Sequence, residues 1–232
     1  AILGVCHRAS VAVVPQGGNT GLAGGAIPGL ADREEILLSL ERMNRVTQID
    51  VSNFTVTVEA GCVLESLQNK VADAGLIFPL SLASEGSCQI GGNISSNAGG
   101  TAVLRYGNTR DLVLGLEVVL PDGRILNELS AVRKDNTGYD LKQLFTGAEG
   151  TLGIITAATC KLFPKPLGTA TALIAFDSCD AVVDFFAASR SALGNEILAF
   201  ETFPAIAMEM VTTHLDGCHS PFASAYPWYV LI

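Results

Sequence analysis

The sequence predicts an α+β fold, and three observations support this class. Hydrophobic residues make up 49% of the 232 residues and charged residues only 16%, so the chain can bury a large core. Alternating patterns typical of half-buried strands are interspersed with spacings of three and four that are typical of amphipathic helices. Residues 113–120 and 124–126 are two strand patterns joined by a Pro-Asp-Gly turn, which favours antiparallel or mixed pairing.

The first elements lead into a glycine-rich segment. Residues 1–8 are predicted as the end of a helix and residues 11–14 as a short buried strand that enters the glycine-rich residues 15–25. A strand is predicted over residues 35–40. Another is predicted over residues 55–59, where Thr-Val-Thr-Val-Glu alternates with a period of two. A strand that ends in a glycine-rich loop is a suitable place for a ligand.

A helix and a long loop come next. The helix is predicted from apolar residues at spacings of three and four, namely Leu64, Leu67, Val71 and Ala74. Gly75 can end this helix as its C-cap. Residues 79–107 are rich in Gly, Ser and Asn and are predicted as a loop, and loops of this length are usually functional. After the hairpin, a short helix over residues 141–145 and a strand over residues 154–156 complete this part of the chain.

Two prolines predict a domain boundary. Pro164 and Pro166 bracket a lysine and interrupt regular structure, so the boundary is placed near Leu167, with domains over residues 1–167 and 168–232. In the second domain the predicted elements are a strand at 171–176, a helix at 181–193 with Val182, Phe185 and Phe186 inward, a strand at 196–200, a helix at 205–212 and a strand at 229–232. The chain starts without Met and stops in an apolar run, which predicts a fragment with an incomplete first domain and a truncated second one.

Charge and composition exclude several classes of function. The 14 basic and 23 acidic residues give a net charge of −9 without any basic run, which argues against a nucleic-acid partner. The sequence contains no stretch of about 18 uncharged apolar residues, so no transmembrane helix is predicted. The six cysteines lack a CxxC pair and are expected to be reduced, mostly buried thiols in an intracellular compartment. His214, Cys218 and His219 lack the second ligand pair of a structural zinc site, so no metal is predicted there.

Three glycine-rich segments are candidate ligand-binding loops. Residues 15–25 carry consecutive glycines after a strand, a composition that lets backbone N–H groups converge on an anion. They match neither a P-loop nor the GxGxxG motif of nicotinamide sites. Residues 79–100 repeat this composition, and their small side chains would let a flat ligand lie against the backbone. Together with residues 149–155 they would line an elongated cleft.

The motifs resemble the FAD-binding domain of the vanillyl-alcohol oxidase / p-cresol methylhydroxylase superfamily. The resemblance covers residues 13–166 and rests on motifs in the family's order: PxGGNTG from Pro15, SxxxxGSCxIGGNxxxNAGG from Ser81, RYG from Arg105, KDNTGYDL from Lys134 and EGTLGII from Glu149. Within that superfamily the chain is most similar to the D-2-hydroxy-acid dehydrogenases, above all those acting on D-2-hydroxyglutarate.

The resemblance implies a set of FAD-binding residues. Those of the first segment would hold the pyrophosphate through backbone amides: Gln16, Gly17, Gly18, Asn19, Thr20, Gly21 and Leu22. Those of the second would run along the adenosine diphosphate and flavin: Pro79, Leu80, Leu82, Ala83, Gly86, Ser87, Ile90, Gly91, Gly92, Asn93, Ser96, Asn97 and Ala98. Those of the third would meet the flavin: Gly153, Ile154 and Ile155. Some relatives attach the flavin through a His where this chain has Asn19, so the FAD is predicted to be non-covalent.

The reaction implied is oxidation of a D-2-hydroxy acid, with D-2-hydroxyglutarate favoured, to the 2-oxo acid by hydride transfer to flavin N5. The resemblance places the general base, the substrate arginine and any divalent metal in a C-terminal half outside these residues. No catalytic residue is therefore assigned, and the chain alone is expected to be inactive. Arg105 and Arg110 are candidate contacts for an anionic substrate, and a solvated ion pair is the alternative interpretation of each.

Three alternatives stay open at this stage: a D-lactate or glycolate oxidase subunit, a non-redox transferase such as alkylglycerone-phosphate synthase, and a non-catalytic flavin-binding fragment. The implied partners are a small 2-hydroxy acid, an electron acceptor (an electron-transfer flavoprotein, a quinone or a cytochrome) and a second copy in a homodimer. The expected location is intracellular, in the cytoplasm of a bacterium or the mitochondria of a eukaryote.

Overall fold

The computed structural model of the chain describes residues 1–29 and 32–232. Its strands are β1 Ala12–Gln16, β2 Glu35–Ser39, β3 Val46–Asp50, β4 Thr55–Glu59, β5 Leu76–Ile77, β6 Val113–Val119, β7 Ile125–Glu128, β8 Ile154–Lys161, β9 Phe163–Pro164, β10 Leu173–Phe176, β11 Glu201–Pro204 and β12 Trp228–Leu231. Its α-helices are α1 Ile2–Ala9, α2 Leu64–Ala72, α3 Ile90–Ser95, α4 Val103–Tyr106, α5 Thr109–Leu112, α6 Lys142–Phe145, α7 Cys179–Leu193 and α8 Ala205–His214.

These elements divide between two units. The first comprises Ala1–Gly100 and Gly107–Lys165, and the second comprises Thr101–Tyr106 and Pro166–Ile232. The first unit holds an antiparallel five-stranded sheet in the order β3-β4-β8-β6-β7, a parallel pair β1-β2 and an antiparallel pair β5-β9. The second holds an antiparallel sheet in the order β10-β12-β11. Mixed helix and sheet confirms the predicted class, and the β6-β7 hairpin confirms the predicted turn.

The central strand β8 carries much of the first unit's core. It pairs with β4 on one side and β6 on the other, and six of its eight residues are buried. Burial raises the pKa of the Cys160 thiol to about 12, so this cysteine is a structural side chain at neutral pH. Helix α2 buries Leu64, Leu67 and Val71, as the spacing predicted. It ends at Ala72 with Asp73 as its C-cap, so Ala74 lies outside the helix and Gly75 does not cap it. Helix α3, which contacts β8, buries Ile90 and Ile94.

Several predicted elements need correction. The strand predicted over residues 196–200 is wrong, because Gly194 ends α7 with a left-handed φ of 57° and a 3₁₀ turn over Gly194–Glu196 delays β11 to Glu201. The loop predicted over residues 79–107 contains α3 and α4. The glycines of α3 disfavour a helix, and α4 is too short to show a helical pattern. Strand β3 was not predicted, because a register shift between Val46 and Gln48 breaks its alternation.

An aromatic cluster fills the second unit. The Phe185 ring lies 5.2 Å from Phe176 and 5.9 Å from Phe200, and the Phe186 ring lies 4.8 Å from Phe200. Val182, on the same side of α7, is buried. The inward orientation predicted for this face of α7 is therefore confirmed.

None of the helices in the described residues is long and apolar enough to cross a membrane. All six cysteines are free, and four of them, Cys6, Cys62, Cys88 and Cys160, are buried.

The ion pair between Arg45 and Glu59 predicts a pH-dependent contribution to stability. Arg45 donates from Nη2 to Glu59 Oε1 at 2.7 Å and from its backbone N–H to Oε2 at 2.9 Å. These hydrogen bonds, the side-chain one above all, lower the pKa of Glu59. A carboxyl whose folded pKa is depressed stabilises the fold above its unfolded pKa of about 4.3 and loses that effect as the pH falls through its folded pKa. We therefore expect Glu59→Gln to lower the Tm at pH 7 by a small amount, and the difference to vanish near pH 3.

Thermal unfolding at pH 7, 5 and 3 tests this expectation. Glu41→Gln is the matched control, because the Glu41 side chain is exposed and, among the described residues, Glu41 forms a hydrogen bond only through its backbone N–H, to Ser39 Oγ. A Tm difference between Glu59→Gln and the parent that stays constant down to pH 3 would contradict the prediction.

Candidate functional site

A cavity of about 400 Å³ lies in the first unit, where the three glycine-rich segments meet. Most of the predicted site residues line it: Gly17, Gly18, Asn19, Thr20, Gly21, Leu22, Leu82, Gly91, Gly92, Asn93, Ser96, Ala98, Gly153, Ile154 and Ile155. The others lie beside these in the chain without lining the cavity: Gln16, Pro79, Leu80, Ala83, Gly86, Ser87, Ile90 and Asn97. The structure thus brings together three segments that are far apart in sequence.

Further lining residues were not predicted as site residues: Pro15, Ala23, Gly25, Ala26, Leu40, Ser84, Gln89, Ser95, Glu149 and Gly150. Several of them continue the same glycine-rich segments, so proximity in sequence was the signal that could have found them. Leu40 lies outside those segments, at the end of β2, and no local signal points to it.

The first segment packs directly on the second. A Cβ placed on Gly18 would lie 2.0 Å from the Ser87 carbonyl oxygen, so no larger residue fits between the two backbones. Gln16 donates from its side-chain amide to the Ala26 carbonyl at 2.8 Å and thereby closes the base of the loop. Its carbonyl accepts the Leu40 N–H at 3.0 Å. The loop is consequently anchored at its base and along one flank.

Helix α3 places the second segment. Gly91 donates its N–H to the Ala60 carbonyl at 2.7 Å, and a Cβ on Gly91 would lie 2.6 Å from the Ala60 Cβ. The buried Asn93 amide donates to Cys88 Sγ at 3.5 Å. Because α3 rests on β4 and β8, its cavity face is held on the five-stranded sheet.

The third segment is tied to the C-terminal end of α3. Gly147 donates its N–H to the Ile94 carbonyl at 3.0 Å, and Glu149 donates to the Ser95 carbonyl at 2.9 Å. Arg110 supports this segment from outside the cavity, since its guanidinium donates to the carbonyls of Gln143 and Thr146. Arg110 therefore serves loop structure here.

Arg105 lies in the second unit and forms an ion pair with Glu196 at 3.3 Å. Its side chain is 29% exposed and that of Glu196 is 74% exposed. Pairs of this kind contribute little to stability.

Among the described residues, three of the five non-glycine residues with a positive φ belong to the glycine-rich segments around the cavity. Asn19, Asn97 and Glu149 have positive φ values of 51°, 48° and 51°, respectively. Asparagine tolerates this region, whereas for glutamate it is unfavourable. Such strain tends to persist where the surrounding structure holds a functional loop in place.

The electrostatics of the cavity favour binding through the backbone. Among the described lining residues Glu149 carries the only charge, and no lysine, arginine or histidine is present. An anionic group in the cavity would therefore be held by N–H groups of the glycine loops. In the part of the chain that the structure describes, no group of three or more metal-ligating side chains occurs.

Two features show that the cavity suits a large ligand. Apart from its chain neighbours and, for Gly92, the backbone of α3, a Cβ on Gly21 or on Gly92 would meet no atom within 4 Å, so these glycines face open space and leave room for another molecule. Gln89 Oε1 is buried in the lining without a hydrogen-bond partner. Open glycines and an unpaired acceptor are what a close-fitting cofactor site would show.

Several named relatives align with this chain over its full length. Bovine mitochondrial D-2-hydroxyglutarate dehydrogenase is 49% identical over 234 residues, which cover 100% of this chain and 42% of the relative. D-2-hydroxyglutarate dehydrogenase of Xanthomonas citri is 44% identical over 100% of this chain and 48% of its own length. A Schizosaccharomyces pombe relative that carries the name of a mitochondrial D-lactate dehydrogenase is 42% identical, again over 100% of this chain and 43% of the relative. The chain thus spans less than half the length of these relatives.

A solved structure shares the fold. An alkyldihydroxyacetonephosphate synthase superposes with a TM-score of 0.80 over 100% of this chain and 44% of its own, at 21% identity, which establishes similarity of fold alone. The model of the family described as FAD binding domain matches residues 1–128, more than half of the chain. The resemblance that the glycine motifs indicated is confirmed, and the chain belongs to the family of FAD-binding domains.

Proposed function

We propose that this chain is the FAD-binding part of a flavin-dependent dehydrogenase that oxidises a D-2-hydroxy acid to the 2-oxo acid, with D-2-hydroxyglutarate as the favoured substrate. The observation that carries the proposal is the cavity lined by three glycine-rich segments in a chain of the FAD-binding family. The names of the relatives supply the substrate class, because two of those described above are D-2-hydroxyglutarate dehydrogenases.

The residues of this chain would bind and orient the cofactor. Backbone N–H groups of residues 16–22 would hold the pyrophosphate, and residues 90–98 and 153–155 would position the flavin. The bound flavin supplies the two-electron chemistry by accepting hydride at N5. No His, Cys or Tyr lines the cavity in the described residues, which supports non-covalent attachment. Acid precipitation should therefore release the yellow colour into the supernatant.

We propose a domain division to match this function. Residues 1–167 form the FAD-binding domain and residues 168–232 begin a substrate-covering domain, a division that the unit Pro166–Ile232 supports. The general base and the substrate arginine are expected outside this chain, because the relatives are more than twice its length.

We also propose the partners and the location of the enzyme. The electron acceptor is an electron-transfer flavoprotein, a quinone or a cytochrome, and the enzyme is a homodimer. Since the eukaryotic relatives are named mitochondrial, that location is proposed for a eukaryotic source and the cytoplasm for a bacterial one.

Anaerobic spectroscopy tests the proposal. The visible flavin bands are recorded for the 232-residue chain and for the complete gene product, before and after D-2-hydroxyglutarate, D-lactate and glycolate. We expect flavin in both proteins and bleaching of the complete product by D-2-hydroxyglutarate, with no bleaching of the chain alone. Bleaching by D-lactate or glycolate only would favour an oxidase of those acids. Flavin that no hydroxy acid reduces would favour the transferase or a non-catalytic module, and absence of flavin from both proteins would overturn the proposal.

A further inference from the structure

Arg110 connects two of the glycine-rich segments from behind the cavity wall. It lies in α5 and does not line the cavity. Its backbone N–H donates to Asn97 Oδ1 at 2.9 Å, near the end of the second segment. Its guanidinium donates from Nη1 to the Gln143 carbonyl at 3.1 Å and from Nη2 to the Thr146 carbonyl at 2.5 Å, just before the third segment. One residue therefore holds both segments.

Both points of attachment adjoin residues that line the cavity. Asn97 stands between Ser96 and Ala98, which line it, and Glu149, three residues after Thr146, lines it as well. Asn97 and Glu149 have positive φ values of 48° and 51°. Because this conformation is unfavourable for residues other than glycine, it persists only where tertiary contacts hold it. The shape of the wall thus depends on the contacts that fix these two turns.

A side-chain network orients the guanidinium. Gln143 accepts a further hydrogen bond from Arg110 Nη1 through its side-chain Oε1 at 2.6 Å. The Gln143 amide nitrogen donates to Asp140 Oδ2 at 3.2 Å, so the amide oxygen faces the arginine. Hydrogen bonds from Lys142 and Gln143 lower the pKa of Asp140, which is consequently an ionised acceptor at neutral pH. Asp140 of the KDNTGYDL motif thereby joins this network.

The start of α5 gives Arg110 a fixed base. Thr109 is 1% exposed and donates its N–H and Oγ1 to the Ala98 carbonyl at 3.1 and 2.7 Å. Asn108 and Asp111 form a capping box at the first turn of the helix. A displacement of the second segment would therefore break the Thr109 bonds and the Arg110 bond together.

We infer that Arg110 is a positioning residue for the cofactor, which fixes the second glycine-rich segment relative to the third and is itself oriented by Gln143 and Asp140. The inference rests on the proposed function, because it takes FAD as the occupant of the cavity. An arginine fork holds two carbonyl oxygens from two nitrogen atoms, whereas lysine presents its donors from a single atom. Without the fork, FAD would have to order both turns when it binds, and this cost lowers the affinity.

Substitutions at Arg110 in the 232-residue chain test the inference. Arg110→Met keeps an unbranched apolar stem and removes every side-chain donor. We expect the Kd for FAD, measured by flavin fluorescence, to weaken about tenfold, because the two segments lose their common anchor. We expect the Tm of the apoprotein to fall by about 4–8 °C, because charge-assisted hydrogen bonds are lost. Arg110→Lys should bind FAD with an affinity between those of the parent and Arg110→Met.

Arg133→Met is the matched control. Arg133 also donates from its guanidinium to two backbone carbonyls, those of Asn53 at 3.2 Å and Phe54 at 3.1 Å, and none of these three residues lines the cavity. It should lower the Tm and leave the Kd for FAD at the parental value. Titration well below the Tm of every variant keeps all the chains folded, so the comparison separates positioning from general stability.

The visible spectrum of the bound flavin gives a second readout. With FAD at saturation, we expect the bands of Arg110→Met to lie closer to those of free FAD than the parental bands do, because the segments that would position the flavin are no longer fixed. Should Arg110→Met fail to fold, Gln143→Met takes its place, since it removes only the Oε1 contact and the link to Asp140. Its Kd should weaken about threefold.

Two results would overturn the inference and leave the proposed function intact. One is a parental Kd in Arg110→Met, or in Gln143→Met where it replaces that variant. The other is an equal loss of FAD affinity in Arg110→Met and Arg133→Met, which would show that general stability is responsible. A parent chain that binds no FAD would overturn both the inference and the proposed function.

Discussion

Gly18→Ala is expected to weaken FAD binding strongly and to destabilise the first unit. The added Cβ would lie 2.0 Å from the Ser87 carbonyl oxygen and 2.9 Å from the Cys88 Cα, both of which are backbone atoms. Neither atom can move without disrupting backbone hydrogen bonds. Ser87 and Cys88 donate their N–H groups to the Ser84 carbonyl at 2.9 and 2.8 Å, and the Cys88 carbonyl accepts the Leu64 N–H at 3.0 Å. The glycine loop must therefore separate from the second segment.

The expected magnitude follows from the cost of overpacking. A clash of this kind destabilises a protein by about 3 kcal/mol, which for a chain of this size lowers the Tm by about 6–12 °C. The Kd for FAD should weaken by at least about 100-fold, because two walls of the cavity move apart. Thermal unfolding and flavin fluorescence titration measure the two effects.

Two other glycines serve as controls for Gly18→Ala. Gly115→Ala places its Cβ 2.3 Å from the Glu128 carbonyl oxygen, a comparably severe clash between two residues that do not line the cavity. It should lower stability as much and FAD affinity less. Gly168→Ala meets no atom within 4 Å and should change neither quantity. Parental Tm and FAD affinity in Gly18→Ala would show that the loop does not pack as described.

Gly92→Ala is expected to stabilise the apoprotein and to weaken FAD binding. Gly92 lies within α3 and has no positive φ, and a Cβ there would meet no atom within 4 Å outside its chain neighbours and the backbone of that helix. Replacing a helical glycine by alanine stabilises a helix by about 0.5–1 kcal/mol. The fold alone therefore does not require glycine at this position, whereas a cofactor that packs against α3 would require the absence of a side chain there.

The measurement again combines apoprotein unfolding with FAD titration. We expect the Tm of the apoprotein to rise by about 2 °C and the Kd for FAD to weaken at least about tenfold, because the methyl group occupies space that the cofactor would take. Gly91→Ala in the same helix is the matched control, since its Cβ would lie 2.6 Å from the Ala60 Cβ and it should destabilise the apoprotein. Unchanged FAD affinity in Gly92→Ala would place the cofactor away from this face of α3.

Local patterns predicted the elements that follow regular periodicity. The period of two over Thr55–Glu59, the spacing of three and four in α2 and the Pro-Asp-Gly turn each correspond to an observed element. The failures occurred where local propensity was overridden. Helix α3 contains Gly91 and Gly92, which disfavour helix, and it is stabilised by packing on β4 and β8. Strand β11 starts at Glu201 because the preceding residues complete the turn after α7.

The sequence by itself determined the fold class, the family and the three glycine-rich segments that carry the site, because strand, helix and turn signals and motif order are local properties of a chain. It did not distinguish among the glycines. Only the tertiary structure decided that Gly18 and Gly91 are glycine because other backbone or side-chain atoms adjoin them, that Gly92 faces open space, and that Gln89 is left with an unpaired oxygen. The physical reason is that steric exclusion and hydrogen-bond satisfaction depend on atoms brought close by folding, and the segments that supply those atoms are far apart along the chain.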